Sequence, residues 1–193
     1  MSIILIRHGQ SQANINGRTL SHQTISLTAH GHLQAQALCH QLPAIDHVMV
    51  SKYTRTYETA VPLLSQYNLS AEIDEDIHEF SYLSEQRCSN TNMYDRSLWV
   101  EAYWEKMDPD YQDAIDAESF AGLYQRVQRF YQRLNLLKAA YQERNLAVFS
   151  HGQFLMLFKM LMQQQQALSV ELMQQFRFNL IHHPIENTEF FLF

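Results

Sequence analysis

The sequence predicts an α/β fold, a three-layer sandwich with a central, mostly parallel β-sheet. Short apolar runs alternate along the chain with longer segments of helical periodicity, which is the pattern of parallel strands joined by helices. No Gly/Ser/Pro-rich linker divides the 193 residues. With 46% hydrophobic and 12% aromatic residues, the chain has enough material for a full core. We therefore expect one domain covering residues 1–193.

Five apolar runs have the length and composition of strands. They lie at 2–6, 47–50, 71–73, 146–149 and 189–193. The last run ends in the letters TEFFLF, and it is apolar enough to need cover if it lies at a sheet edge. A homodimer that covers this edge is one possible arrangement.

Helical periodicity predicts helices between these strands, at 28–41, 54–67, 94–106, 119–143 and 153–164. In the first helix, Leu33, Ala37 and Leu38 are expected on one apolar face, with Thr28 as the N-terminal cap. Pro62 is expected to kink or break the second helix. His182 and His183 are expected on a strand, where adjacent side chains point to opposite faces and make a poor pair of metal ligands.

Charge and cysteine content restrict the class of protein. The net charge is −6, so the chain has no basic excess of the kind that nucleic-acid binding requires. Of its two cysteines, Cys39 lies on an apolar helical pattern and is expected to be a core thiol, whereas Cys88 lies in a polar stretch. No disulfide framework is expected, which fits a reducing cytoplasm. No secretory leader is predicted, because the N-terminal stretch lacks a basic region and a long apolar region. No membrane span is predicted either, because the longest apolar stretch, 154–162, is short and contains Lys159.

Polar residues suited to catalysis follow three of the predicted strands. The first strand runs into Arg7-His8-Gly9, the second is followed by Ser51 and Arg55, and the fourth by Ser150-His151-Gly152. Ligands of open α/β sheets bind beyond the carboxyl ends of the strands, so two arginines and two histidines are expected to meet there. Taken one by one, such a histidine is more often a hydrogen-bonded rim residue, and such an arginine usually pairs with a carboxylate.

Arg55 falls in the first turn of a predicted helix, where a cation opposes the helix dipole. A bound anion would remove this conflict, because the helix terminus and the guanidinium would both attract it. The backbone amides of Gly152 and Gln153, at the start of another predicted helix, are expected to serve the same anion. The alternative is a surface arginine paired with Glu58 or with a neighbouring carboxylate.

These residue types suit phosphoryl transfer. Arginines bind phosphate oxygens in bidentate fashion, and a neutral imidazole is a competent nucleophile toward phosphorus. A second, protonated histidine would stabilise the charge on the equatorial oxygens. The leaving group needs a general acid, and the stretch AEIDEDIHEF offers five carboxyl groups. Glu79 is favoured by its less polar setting between Ile77 and Phe80, although the residues alone leave the other four open.

Several stretches, in the right order, resemble the histidine phosphatase superfamily (phosphoglycerate mutase-like, branch 1). The Arg-His-Gly motif at residues 7–9 is extended by Gln10, Ser11 and Asn14 in the family's spacing. The stretches LTAHGHLQAQAL, SKYTRTYETA, IHEF, VFSHG and ENTEFFLF resemble further family segments.

The resemblance implies a phosphoglycerate mutase-like fold and a set of roles. By resemblance, His8 is the phosphorylated nucleophile and Glu79 is the proton donor that later activates water. Arg7, Arg55, His151 and Asn14 are implied in the phosphate pocket, with a phosphorylated small molecule as the substrate. No metal and no cofactor is implied.

The sequence also departs from the family's mutases. Leu20 and Ser21 stand in the stretch where the mutases carry a Thr-Gly pair, so hydrolysis is favoured over mutase-type transfer. Residues 81–118, rich in aromatics, are expected to form a lid insertion that selects the substrate. A non-catalytic module that binds phosphorylated ligands is the alternative from another class, but it would not need both a nucleophile and an acid.

Overall fold

The computed structural model describes residues 2–140 and 144–193. Its sheet has five strands in the order β3-β2-β4-β1-β5. The strands are β1 (Ser2–Arg7), β2 (His47–Ser51), β3 (Ala71–Asp74), β4 (Asn145–Ser150) and β5 (Phe190–Leu192). The first four strands of this order pair in parallel, and β5 pairs with β1 in antiparallel fashion at the edge. The predicted, mostly parallel sheet is thereby confirmed, and each strand lies within one residue of its predicted bounds at either end.

Seven α-helices are assigned in the described part of the chain. They are α1 (Ala29–Leu38), α2 (Thr54–Tyr67), α3 (Glu85–Cys88), α4 (Met93–Lys106), α5 (Phe120–Ala140), α6 (Gly152–Gln163) and α7 (Val170–His182). A short 3₁₀ turn, Glu75–Ile77, follows β3. Residues 141–143, where the predicted helix 119–143 was to end, lie outside the described residues.

Helix α7 was not predicted, and the strand expected at His182 and His183 is wrong. Ser169 begins the helix by accepting a hydrogen bond from the Leu172 amide, and His183 ends it. Met173 and Phe176 of this helix are buried. Tertiary burial of one apolar face therefore stabilises this helix.

The alternation of β1 side chains divides the core into two layers. Ile3 and Leu5 belong to one apolar cluster, which contains buried residues of α5, α6 and α7. Ile4 and Ile6 belong to the other, which contains buried residues of α1 and α2. Because both faces of β1 are covered, all four isoleucine and leucine side chains are at most 1% exposed. This arrangement confirms the three-layer sandwich.

The buried face of α1 differs from the predicted one. Thr28 caps the helix as expected, accepting from the Gly31 amide at 3.0 Å. Leu33, however, is 62% exposed, and the buried positions are Gly31, Ala35 and Leu38. The helix turns this small-residue face inward because it approaches the backbone after β1 closely: a Cβ on Gly31 would lie 2.1 Å from the Gln10 carbonyl oxygen.

Helix α2 continues through Pro62, so the proline costs a backbone hydrogen bond without ending the helix.

Cys39 is buried, as its helical pattern predicted, and Cys88 is buried too. Both thiols are free, and burial raises the pKa of each.

The segment 81–118 contains α3 and α4 and packs on the core. Tyr103 and Trp104 of α4 are buried within the larger apolar cluster, in edge-to-face contact with each other. Met93 and Tyr94, at the start of the same helix, are exposed. None of the helices in residues 2–140 and 144–193 has the length and apolar character needed to span a bilayer.

The close approach at Gly31 gives a test of the fold. We expect Gly31→Ala to lower the free energy of unfolding by about 2–4 kcal/mol, because the added methyl group collides with rigid backbone. The exposed Gln36→Ala on the same helix is the control, with a change near zero. Urea unfolding of both variants makes the comparison, and a neutral Gly31→Ala would contradict the packing described.

Candidate active site

The pairing of β1 with β4 places the two histidine motifs side by side. The parallel register aligns Arg7 with Ser150, so the residues that follow, His8 and His151, leave the sheet together. The His8 amide donates to the Ser150 carbonyl at 3.0 Å. The two imidazole rings then lie edge to face, with their centroids 5.1 Å apart. The expected convergence of both motifs at one sheet edge is thus what the structure shows.

His8 has its ring fixed in one tautomer. Its Nδ1 lies 2.7 Å from the Gly9 carbonyl oxygen, an acceptor, so Nδ1 carries the proton and donates it there. The lone pair is left on Nε2, which accepts from Arg55 Nε at 3.1 Å. Burial, with the positive charges of Arg55 and Arg7, lowers the pKa of His8 well below its ordinary 6.5. The ring is therefore neutral at physiological pH, with Nε2 available as a nucleophile.

Arg55 is buried in the first turn of α2 and is 6% exposed. It donates to the His22 carbonyl at 2.7 Å, and its guanidinium lies 4.8 Å from the centre of the Tyr53 ring. The alternative pairing with Glu58 is wrong, because that carboxylate accepts from the Leu27 amide instead. Burial lowers the pKa of Arg55 to about 10, so the side chain stays charged at neutral pH.

Arg7 and Asn14 line the same cavity as His8 and Arg55. Arg7 Nε is buried without a hydrogen-bond partner in the described part of the chain. Asn14 Oδ1 accepts from the amide and hydroxyl of Ser11, at 2.9 and 3.0 Å, which leaves its NH₂ group to donate elsewhere. Gly152 allows Arg7 to lie close, since a Cβ there would be 3.3 Å from Arg7 Nε.

His151 is fully buried behind His8. Its Nε2 is 2.7 Å from the Ser51 hydroxyl, and its Nδ1 has no hydrogen-bond partner among the described residues. Burial, then the nearby Arg55 charge, lowers the pKa of His151 well below 6.5. A bound phosphate dianion would act in the opposite direction and favour the protonated ring.

The Glu79 carboxylate occupies the N-terminus of α6. Its oxygens accept from the amides of Phe80 at 2.9 Å, Gln153 at 3.2 Å and Phe154 at 3.3 Å. Carboxylates are favourable at such a terminus because of the exposed amides and the helix dipole. A phosphate would have to compete with Glu79 for the Gln153 amide, which the sequence alone did not anticipate.

Arg126 holds the segment that carries Glu79. This α5 side chain is 3% exposed and forms a bidentate ion pair with Glu118, with contacts of 2.6 and 2.9 Å. It also donates to the carbonyls of Asp76 and His78, each at 2.7 Å. Arg126 was not singled out by the sequence, because the carbonyl groups that it holds, those of Asp76 and His78, are distant along the chain.

A cavity of about 500 Å³, within the range of pockets for small organic ligands, is lined by six of the eight predicted site residues, whereas His151 and Gly152 are not among its lining residues. Its lining includes Arg7, His8, Asn14, Arg55, Glu79 and Gln153 from the predicted site. Further polar residues, among them His22, Tyr82, Arg96 and Arg177, also line it. Arg96 lies in the predicted lid, whereas Arg177 comes from the unpredicted α7, so no sequence pattern pointed to it.

The described residues, 2–140 and 144–193, offer no cluster of metal ligands. No group of three or more His, Cys, Asp or Glu side chains in that part of the chain is placed to hold a metal ion.

Comparison with known proteins shows the family of the chain. A family model for the histidine phosphatase superfamily (branch 1) matches residues 3–184. The chain belongs to this superfamily. An adenosylcobalamin/α-ribazole phosphatase from Escherichia coli K12 is 34% identical over 155 residues, which are 78% of this chain and 73% of the relative.

Solved structures of other phosphatases agree with the fold. The α-ribazole phosphatase from Shigella flexneri is 28% identical, with a TM-score of 0.72 over 97% of this chain and 87% of that one. A mycobacterial glucosyl-3-phosphoglycerate phosphatase, 17% identical, has a TM-score of 0.72 over 99% and 88% of the two chains, which shows the shared fold. The family and its phosphatase relatives establish the chain as a phosphatase that acts on phosphomonoesters.

The two buried histidines set a pH dependence of stability. In the unfolded chain they bind protons near pH 6.5, whereas burial keeps His8 and His151 neutral in the folded protein. Below that pH the unfolded state binds more protons. The free energy of unfolding therefore falls as the pH is lowered from about 6.5 to about 5, by at most about 1.4 kcal/mol per pH unit for each histidine.

Urea unfolding over this pH range measures the effect. Relative to the wild type, His8→Gln is expected to show a shallower slope of unfolding free energy against pH, with a difference of at most about 1.4 kcal/mol per pH unit. Identical slopes in the two proteins would contradict a neutral, buried His8.

Proposed function

We propose that this phosphatase hydrolyses a phosphorylated small molecule through a phosphohistidine on His8, with Glu79 as the general acid and then the general base. The observation that carries the proposal is the fixed tautomer of His8. Its Nδ1–H is held by the Gly9 carbonyl, which leaves the Nε2 lone pair beside Arg55 in a cavity large enough for a substrate. A protein site that only binds phosphate would not need a neutral nucleophile at this position.

The first step transfers the phosphoryl group to the protein. Arg7, Arg55 and the Asn14 amide would bind the phosphate oxygens, with Arg55 exchanging its hydrogen bond to His8 for one to the phosphate. Nε2 then forms a bond to phosphorus while the bond from phosphorus to the ester oxygen breaks. The electron pair leaves with that oxygen, which takes a proton from Glu79.

The second step returns the protein to its starting state. A water molecule attacks the phosphohistidine, and Glu79 accepts its proton. The bond from phosphorus to Nε2 breaks, the electron pair returns to the ring, and inorganic phosphate is released. In both steps His151, protonated beside the phosphoryl group, would stabilise the charge on the equatorial oxygens.

The substrate is selected, in this proposal, by the segment 81–118, which contributes Tyr82, Met93 and Arg96 to the cavity wall. The relatives named above are α-ribazole phosphatases. α-Ribazole phosphate therefore belongs in the first panel of substrates to be assayed, together with sugar phosphates, nucleotides and phosphorylated acids.

Release of inorganic phosphate from 4-nitrophenyl phosphate and from an alkyl phosphate tests the roles of His8 and Glu79. We expect His8→Ala to lower kcat/KM for both esters by about 10³-fold or more, because no nucleophile remains. We expect Glu79→Gln to lower it by about 10²-fold or more for the alkyl ester and by less for the aryl ester, whose better leaving group needs less protonation.

The matched control is His32→Ala, which removes an exposed histidine on α1 and should leave the activity unchanged. Turnover that survives His8→Ala would contradict the proposed nucleophile. An isomerised product without free phosphate would favour a mutase, and binding without any turnover would favour a non-catalytic module.

A further inference from the structure

Two arginines line the active-site cavity away from the phosphate-binding groups. Arg96 lies on α4 and Arg177 on α7, and both are half-buried. The Arg177 guanidinium lies 4.8 Å from the Trp104 ring, and Arg96 Nε donates to the Asn92 carbonyl at 3.0 Å. The cavity is therefore lined by four of the 14 basic residues of an acidic chain.

Tyr82 lines the same cavity as both arginines, and it packs on the Trp104 ring that Arg177 also contacts. The positive charges of the two arginines offset part of the rise that burial causes in the pKa of the Tyr82 hydroxyl. Tyr82 itself packs on Tyr103 and Trp104, with ring centroids 4.7 and 5.5 Å away. These contacts with the buried core fix the position of the Tyr82 ring in the cavity lining.

Neither arginine is neutralised by a carboxylate in the part of the chain that the structure describes. The ion pairs formed there use six other basic residues: Arg18, Lys52, Arg87, Arg126, Arg129 and Arg133. Glu101 also lines the cavity, but it forms no ion pair with Arg96 or Arg177. Two half-buried cations facing a cavity attract an anion more strongly than they would at an open surface, because solvent screens them less.

We propose that Arg96 and Arg177 form a second anion-binding subsite beside Tyr82, and that the substrate is a phosphomonoester with a second anionic group, a carboxylate or a phosphate. The inference rests on the proposed function, because it assigns the remainder of the same substrate. Phe80, Leu83 and Val100 also line the cavity and would contact the uncharged part of the molecule that links the two anions.

Pairs of substrates that differ only in one charge test this subsite. The first pair is 4-carboxyphenyl phosphate and 4-carbamoylphenyl phosphate, which have nearly the same shape. The second pair, 4-(2-carboxyethyl)phenyl phosphate and its amide, extends the reach by two methylene groups. The ratio of kcat/KM for the acid to that for the amide is measured in each pair and compared between variants, which cancels differences in leaving group.

We expect the wild type to prefer the acid in at least one pair. Arg96→Met and Arg177→Met should each reduce that preference by about tenfold, as expected for loss of a charge-assisted contact. The control is Arg87→Met, which removes a lid arginine already paired with Asp113 and outside the cavity lining, and which should leave the preference unchanged.

Absence of any preference for the acid in both pairs would overturn the subsite, as would variants that slow acid and amide equally. These outcomes differ from failure of the proposed function, in which the wild type would hydrolyse none of the esters. Calorimetric binding of the acid and the amide to the His8→Ala variant tests the subsite without turnover. Tighter binding of the acid than of the amide, lost when Arg177→Met is added to His8→Ala, supports the subsite. Equal binding of the acid and the amide to His8→Ala overturns it.

Discussion

The parallel pairing of β1 with β4 is the constraint on which the active site depends. Its register aligns Arg7 with Ser150, the last residues of the two strands. His8 and His151 meet because each directly follows one of these aligned residues. A slip of one residue would send every β1 side chain to the opposite face of the sheet. Burial of Ile3–Ile6 between two helical layers opposes such a slip, because these four side chains divide alternately between the two apolar clusters. The apolar strand thus fixes the position of the polar residues that follow it.

The site concentrates positive charge in a protein of net charge −6. Burying a cation such as Arg55 costs free energy unless it is compensated, and no carboxylate forms an ion pair with it among the described residues. Arg7 Nε and His151 Nδ1 are likewise buried without hydrogen-bond partners there. In the proposed function, a bound phosphate dianion would compensate the charges of Arg7 and Arg55. On that proposal, the protein gives up some stability so that binding energy is available at the site of phosphoryl transfer.

Local sequence patterns predicted much of this arrangement, and the failures have a common cause. The strands were predictable because short apolar runs end at polar or glycine residues, and the two His-Gly pairs stood out for that reason. Leu33 was wrongly assigned to the buried face of α1. The buried face is set by the close approach of Gly31 to the Gln10 carbonyl, and a hydrophobicity pattern does not report such a contact between separate segments. Arg126 and Arg177 act through contacts with distant segments, and α7 is stabilised by the burial of Met173 and Phe176 in the core. Single-sequence reasoning does not see such contacts.

The central claim is that the phosphoryl group passes through a covalent bond to His8 Nε2. Rapid acid-free quenching of the protein with a ³²P-labelled phosphomonoester, followed by digestion and peptide mapping, tests it most directly. The predicted result is a transient, acid-labile and alkali-stable label on the peptide that contains His8, formed and lost at rates that match phosphate release. A label on another residue, or steady turnover with no labelled protein at any time, would contradict the claim.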